Sequence, residues 1–192
     1  MKLSIPHRRQ LNDYMCGPAT LQMVLAFLGE QKSQRKIRKL MKASPHELKS
    51  HGVDNYKMVR AIQRAGFYAY VNEYSNLDEL KLFVKQGYPV VINYVEPSHN
   101  DGHFAVVKGF NSLLGTIILN DPWNGADFTL SEKQFLSRWH SEWWKSDNGY
   151  KGHWLMVASK EPVKVGRLYS PYKYVTEAVK TKKTKNNDQQ QS

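Results

Sequence analysis

QLNDYMCGPATLQMVLAFLG, residues 10–29, decides how the rest of the chain is read. It holds the chain's one cysteine, Cys16, followed by Gly17, Pro18 and an apolar run. Leu21, Val24, Leu25 and Leu28 recur at three- and four-residue steps, the stripe that an amphipathic helix turns toward a core. Proline is accommodated in a first helical turn, where its missing N–H would have had no partner, and glycine commonly follows a last turn. The spacing predicts a helix that starts at or just after Cys16 and stops at Gly29. A thiol there meets unpaired N–H groups and the positive end of the helix dipole, both of which favour thiolate over thiol. A free cysteine is most often a small buried hydrophobe. The helix start, with Gln10 before it and Gly-Pro after it, points instead to a nucleophile.

A nucleophile needs partners, and residues of the right type follow. Gln10 lies six residues upstream and offers a side-chain amide donor of the kind an oxyanion hole uses. Gly17 leaves room for a substrate backbone. His103 opens the apolar run HFAVVKGF, and Asp121 ends the run TIILND. Residues 89–95, 103–110 and 116–120 read as strands, the last two joined by the hairpin-length loop NSLLG. A hairpin of that kind sets its outer ends side by side, so His103 and Asp121 become neighbours. A base that takes the thiol proton and an acid that orients the base then complete a triad with Cys16. On these grounds Cys16, His103, Asp121 and Gln10 are the expected catalytic residues, with Gly17 and Gly102 as the expected substrate contacts.

The ordered set Pro6, Gln10, Cys16-Gly17-Pro18-Ala19, then Gly102-His103 with Val106 and Val107, then Asn120-Asp121-Pro122 with Gly125, resembles the C39-like cysteine peptidases. The resemblance covers residues 3–160, with all four catalytic positions in order. CGPA alone would be weak; the ordered four are specific. The resemblance implies a papain-like fold related to the domains that process bacteriocin leaders, and cleavage of peptide or isopeptide amides through an acyl-enzyme on Cys16. For the exporter-linked members it implies small residues such as Gly-Gly before the cleaved bond. The present sequence resembles the freestanding branch, for which the motif implies no substrate.

The remaining chain reads as α+β, N-terminal helices packed on a C-terminal antiparallel sheet. Residues 33–43 form a basic helix with Ile37, Leu40 and Met41 on one face, ended by Ser44-Pro45. Asp54 caps a helix ending at Ala65 before Gly66, Phe67 to Val71 is a short strand, and Leu77 to Gln86 is a helix stopped by Gly87. Ser131 with Gln134 is a capping-box pattern opening a short helix through Trp139, and HWLMVAS, residues 153–159, reads as a closing strand. The expected organisation is a catalytic domain over residues 1–160 and a C-terminal extension over 161–192, basic and disordered from about residue 180.

Composition narrows the function classes. One cysteine excludes an intramolecular disulfide framework and a cysteine-based zinc cluster. The start MKLSIPHRRQ has no apolar signal core, and no window approaches the roughly 18 apolar residues of a membrane span, so a cytoplasmic protein is expected. Twenty-eight basic against 17 acidic residues leave a charge of +11, concentrated at residues 32–42 and in the tail. No nucleic-acid motif accompanies that charge, so a solvated face is expected and nucleic acid is disfavoured as a partner. His99, Asp101 and His103 spell H-x-D-x-H, a rival metal motif, but Asn100 and Gly102 make it a loop and a fourth ligand is lacking. No cofactor, metal or phosphate-binding glycine loop is expected, and a peptide or protein is the expected partner. The same thiol, imidazole and carboxylate also run transamidation. A non-catalytic peptide-binding module and a basic nucleic-acid binder are the alternatives outside enzymology.

Overall fold

Helix starts in the first third of the chain follow their caps. The computed structural model describes residues 1–140, 152–164 and 173–176. After an extended lead-in come α1 (Cys16–Phe27), α2 (Gln34–Met41), α3 (Pro45–His51) and α4 (Asn55–Arg64). Ser33 and Asp54 accept N–H groups of Lys36 and Lys57 and so cap α2 and α4. Ser44-Pro45 ends α2 as expected but also opens α3, which the sequence reading missed. Ser44 and Glu47 form a reciprocal capping box, and Pro45 occupies the first turn, where proline favours a helix rather than breaking it. Only α1 lacks a side-chain cap: Met15 precedes it without one.

The strands are β1 (Tyr68–Asn72), β2 (Val90–Val95), β3 (Gly102–Asn111), β4 (Thr116–Asp121), β5 (Gly125–Ser131), β6 (Leu155–Ser159) and β7 (Lys173–Thr176), with α5 (Leu77–Lys85) after β1 and α6 (Glu132–Arg138) after β5. Among the described residues they form one seven-stranded sheet in the order β5-β4-β3-β2-β6-β1-β7. Every pairing in it is antiparallel. HWLMVAS, read as a closing strand, supplies β6, which lies inside the sheet between β2 and β1 with all five of its residues buried. β5 was not foreseen, because GADFTLS is an edge strand with a single buried residue and begins with the poor strand formers Gly, Ala and Asp. β7, from the C-terminal extension, pairs with β1. Trp143, Trp144, Tyr169, Tyr172 and the tail lysines lie outside the described residues.

Two cores flank the sheet. Val71, Val91, Phe104, Val106, Met156 and Ala158 pack with α1, α2 and α4 on one face. Their strand neighbours Tyr70, Val90, Ile92, Ala105, Val107, Leu155 and Val157 pack with α5 and α6 on the other. Successive side chains on a strand point to opposite faces, so a sheet covered on both sides needs continuous rather than alternating apolar runs. VVINYV and FAVVKGF are such runs. Helix α1 also departs from expectation: Cys16 to Leu21 and Met23 to Leu25 are all buried, leaving little of a polar face. It is enclosed by the sheet and by α2 and α4. A helix buried on most sides reads as an apolar run with a weak stripe.

Candidate active site

Three independent attachments converge at the upper end of β3 and β4. The lead-in runs beside these strands, with the Leu3 N–H donating to the Lys108 carbonyl at 2.7 Å and the Asn120 amide donating to the Ile5 carbonyl at 2.8 Å. It delivers Gln10, whose N–H donates to the Pro122 carbonyl at 3.1 Å. The Thr20 hydroxyl of α1 donates to the Phe104 carbonyl at 2.9 Å, tying the cysteine helix to β3 one residue beyond His103. The β3–β4 hairpin brings Asp121 to His103.

The chemistry-bearing groups form a continuous line. The His103 ring acts on the Cys16 thiol by hydrogen-bonding and charge interaction that lower its pKa, and His103 Nε2 donates to Asp121 Oδ1 at 3.2 Å. With Nε2 engaged, Nδ1 is the nitrogen left for the sulfur. All three side chains are buried, Asp121 completely. The Tyr94 hydroxyl donates to Asp121 Oδ2 at 2.6 Å, and its ring meets the imidazole edge-on at 5.9 Å. The N–H groups of Trp123 and Asn124 donate to Oδ1 at 2.8 and 2.7 Å, an Asx-turn that closes the β4–β5 connection while fixing the carboxylate.

These contacts set the protonation states. Burial pushes the Cys16 thiol up, but the His103 ring and the N–H groups of Phe104 and Gly17 outweigh it and hold the thiol below its ordinary value. Burial pulls His103 down, yet its hydrogen bonds and charge interactions with Asp121 and Cys16 raise it to about 10. Burial likewise raises Asp121, and His103, Tyr94 and the turn N–H groups bring it below the usual carboxylate range. All three shifts run toward the charged form of the group, thiolate, imidazolium and carboxylate.

Gln10 is more than nine-tenths buried. Its amide nitrogen donates to the Asn12 carbonyl at 2.8 Å, which leaves the second amide hydrogen uncommitted by that bond. Gly102 lies at the exposed start of β3 and lines a cavity of about 330 Å³ together with Gln10, His103 and Trp123. Gly17 faces inward: a Cβ there would overlap Cγ2 of Val53 and lie 3.1 Å from the Met58 sulfur. The space its missing side chain leaves is filled by the core. The two histidines of H-x-D-x-H diverge, His103 toward Asp121 and His99 toward the Trp123 ring edge at 5.4 Å. Among the described residues no three His, Cys, Asp or Glu side chains group as a metal ion would require.

Residues 2–146 match the Peptidase_C39 like family. The chain belongs to that family. Its C39-like fold is shared with solved structures that are too distant in sequence to show more than the fold. The peptidase domain of Streptococcus ComA, a bifunctional ABC transporter of a quorum-sensing pathway, is 19% identical at a TM-score of 0.61, over 81% of this chain and 98% of that one. A double glycine motif protease from an AMS/PCAT transporter, solved with its leader peptide, is 22% identical at 0.60, over 82% and 92%. A C39-like peptidase from Bacillus anthracis is 17% identical at 0.62, over 84% and 98%. No curated protein matches the chain.

The sequence reading missed Tyr94, the two turn N–H groups and His7, whose ring bonds the Asp121 carbonyl at 2.9 Å. A signal existed for the turn, since Asp-Pro-x-Asn after a strand is an Asx-turn pattern. None existed for Tyr94, because in VVINYV it is one more strand-forming aromatic.

Proposed function

We propose that this C39-like protein is a cysteine peptidase that hydrolyses peptide or isopeptide amides through an acyl-enzyme on Cys16. The observation that supports this most is the buried line from Cys16 through His103 to Asp121 at the start of α1. The Cys16 thiolate attacks the substrate carbonyl carbon, forming the C–S bond and a tetrahedral oxyanion. The free amide hydrogen of Gln10 and the Cys16 N–H stabilise that oxyanion. The His103 imidazolium gives its proton to the leaving amine as the C–N bond breaks. Water, deprotonated by the now neutral His103, then attacks the acyl carbon, and breaking of the C–S bond releases the acid and restores the thiolate and the imidazolium. Asp121 keeps the ring oriented throughout.

The likeness to a protease solved with a leader peptide supports a peptide as the substrate class. A thiolate nucleophile works where thiols stay reduced, which favours the cytoplasm. No helix among the described residues is long and apolar enough to cross a membrane. The test is a mass-spectrometric screen of a peptide library with wild type and Cys16→Ser. Cleavage by wild type alone, with the acyl-enzyme trapped on Cys16, is expected. A wild type that cleaves nothing, and whose thiol reacts like an ordinary one, overturns the assignment.

A further inference from the structure

Gln10 sits on the lead-in and Cys16 begins α1, so the oxyanion donor and the nucleophile belong to different segments. A working site needs such groups held in register to about 0.5 Å. The Gln10 amide donates to the Asn12 carbonyl, a partner two residues on that moves with it. Where its side chain stands relative to Cys16 therefore depends on what holds the backbone of residue 10. The Gln10 N–H is taken by the Pro122 carbonyl at 3.1 Å. The backbone groups on either side are both taken by one side chain, that of Gln34. Its Oε1 accepts from the Leu11 N–H at 3.1 Å, and its Nε2 donates to the Arg9 carbonyl at 2.8 Å.

Gln34 is the first residue of α2 and only 4% exposed, although glutamine is mostly a surface residue. Burying an amide costs free energy unless its donors and acceptor are used, and here they are. Besides the Arg9 carbonyl, Nε2 donates to Gln22 Oε1 at 3.1 Å, and Gln22 Nε2 donates in turn to the Lys32 carbonyl at 3.0 Å. Gln22 belongs to α1, the helix that Cys16 opens. A continuous run of hydrogen bonds thus leads from the cysteine helix through Gln22 and Gln34 to both flanks of Gln10. The start of α2 does not need the Gln34 side chain for its own cap, since Ser33 supplies that.

We propose that Gln34 is a positioning residue for the oxyanion donor, its carboxamide fixing the backbone on both sides of Gln10 in register with α1. The inference rests on the peptidase assignment and on the role given there to Gln10. Gln34→Met keeps the length of the side chain and removes its hydrogen bonds to Arg9, Leu11 and Gln22. It should lower kcat on a cleaved peptide roughly tenfold, a part of the about 10²- to 10³-fold that an oxyanion donor supplies, with KM nearly unchanged. The alkylation profile of Cys16 should stay that of wild type, because the line from Cys16 through His103 to Asp121 does not include Gln34. In a Gln10→Ala background the same substitution should change kcat by less than about twofold, since no donor is left to position.

Equal losses from Gln34→Met with and without Gln10, or a variant as active as wild type, overturn the proposal and leave the peptidase assignment intact. A wild type that cleaves no peptide overturns that assignment and the proposal with it. Gln22→Met covers the case in which Gln34→Met does not fold. It removes only the outer bonds of the run, those to Gln34 and to the Lys32 carbonyl. A smaller loss in kcat is expected, roughly threefold, again absent in the Gln10→Ala background. No loss at all, or one that persists without Gln10, overturns the proposal.

Discussion

Tyr94→Phe isolates one oxygen atom of the site. The substitution keeps the ring that meets His103 edge-on and removes the hydroxyl that donates to Asp121 Oδ2 at 2.6 Å. Both residues are fully buried, so bulk water does not readily replace the lost donor. Hydrogen bonds to charged groups contribute about 1.5–3 kcal/mol, which sets the expected loss of stability near 2 kcal/mol. For a chain of this size that corresponds to a fall in Tm of roughly 4–8 °C. Asp121 retains His103 and the N–H groups of Trp123 and Asn124 on Oδ1, so the fold and the triad geometry should survive. With one of the groups that hold its carboxyl down removed, Asp121 becomes a weaker counter-charge to His103. The imidazolium should lose its proton at lower pH than in wild type, and the Cys16 pKa should move part of the way toward that of an ordinary thiol. Calorimetry and the pH profile of Cys16 alkylation read these two effects separately. A Tm within about 1 °C of wild type together with superimposable alkylation profiles would refute the assignment of Tyr94 as the residue that positions Asp121.

Gln10→Ala should lower kcat/KM about 10²- to 10³-fold while leaving the alkylation profile of Cys16 unchanged, because an oxyanion donor acts only on the tetrahedral state; equal losses in both would instead mark a structural role. Gly17→Ala should destabilise by about 1–3 kcal/mol through overlap with Val53 Cγ2, and Val53→Ala should recover part of that loss in thermal denaturation. The pH dependence of stability should report both ends of the ion pair. Asp121 is depressed in the fold, so its contribution is present above about 3.8, its ordinary value, and is lost as pH falls through the lower folded value. His103 is raised, so its contribution is complete below its ordinary 6.5 and is lost as pH rises through about 10. Asp121→Asn should flatten the acid side of the Tm–pH curve, and a curve as steep as that of wild type would contradict the pairing.

Local chemistry carried most of the fold. Ser33, Asp54 and Ser131 each mark a helix start, and the hairpin after Phe110 is legible in its loop and its apolar flanks. Those same features made the candidate site legible, because Cys16 lies at a helix start and His103 and Asp121 at the two ends of one hairpin. What stayed hidden was long-range order. Nothing local places β6 between β2 and β1, since LMVAS fits any buried strand, and a sheet covered on both faces erases the alternation that would show which side each residue takes. Ser44-Pro45 was ambiguous for a physical reason: proline ends one helix and starts the next equally well. Tyr94 owes its role to a partner 27 residues away, Asp121, which no spacing rule connects.

The central claim is that Cys16 and His103 form a thiolate–imidazolium pair, and the pH dependence of Cys16 alkylation by iodoacetamide tests it most directly. The single cysteine makes the rate unambiguous. Wild type should react well below about pH 8.5, the region of an ordinary thiol, and His103→Ala should lose that low-pH arm, since burial then pushes the thiol upward against only the N–H groups of Phe104 and Gly17. Identical profiles for the two proteins, or a wild-type thiol that reacts only after unfolding, would contradict the account.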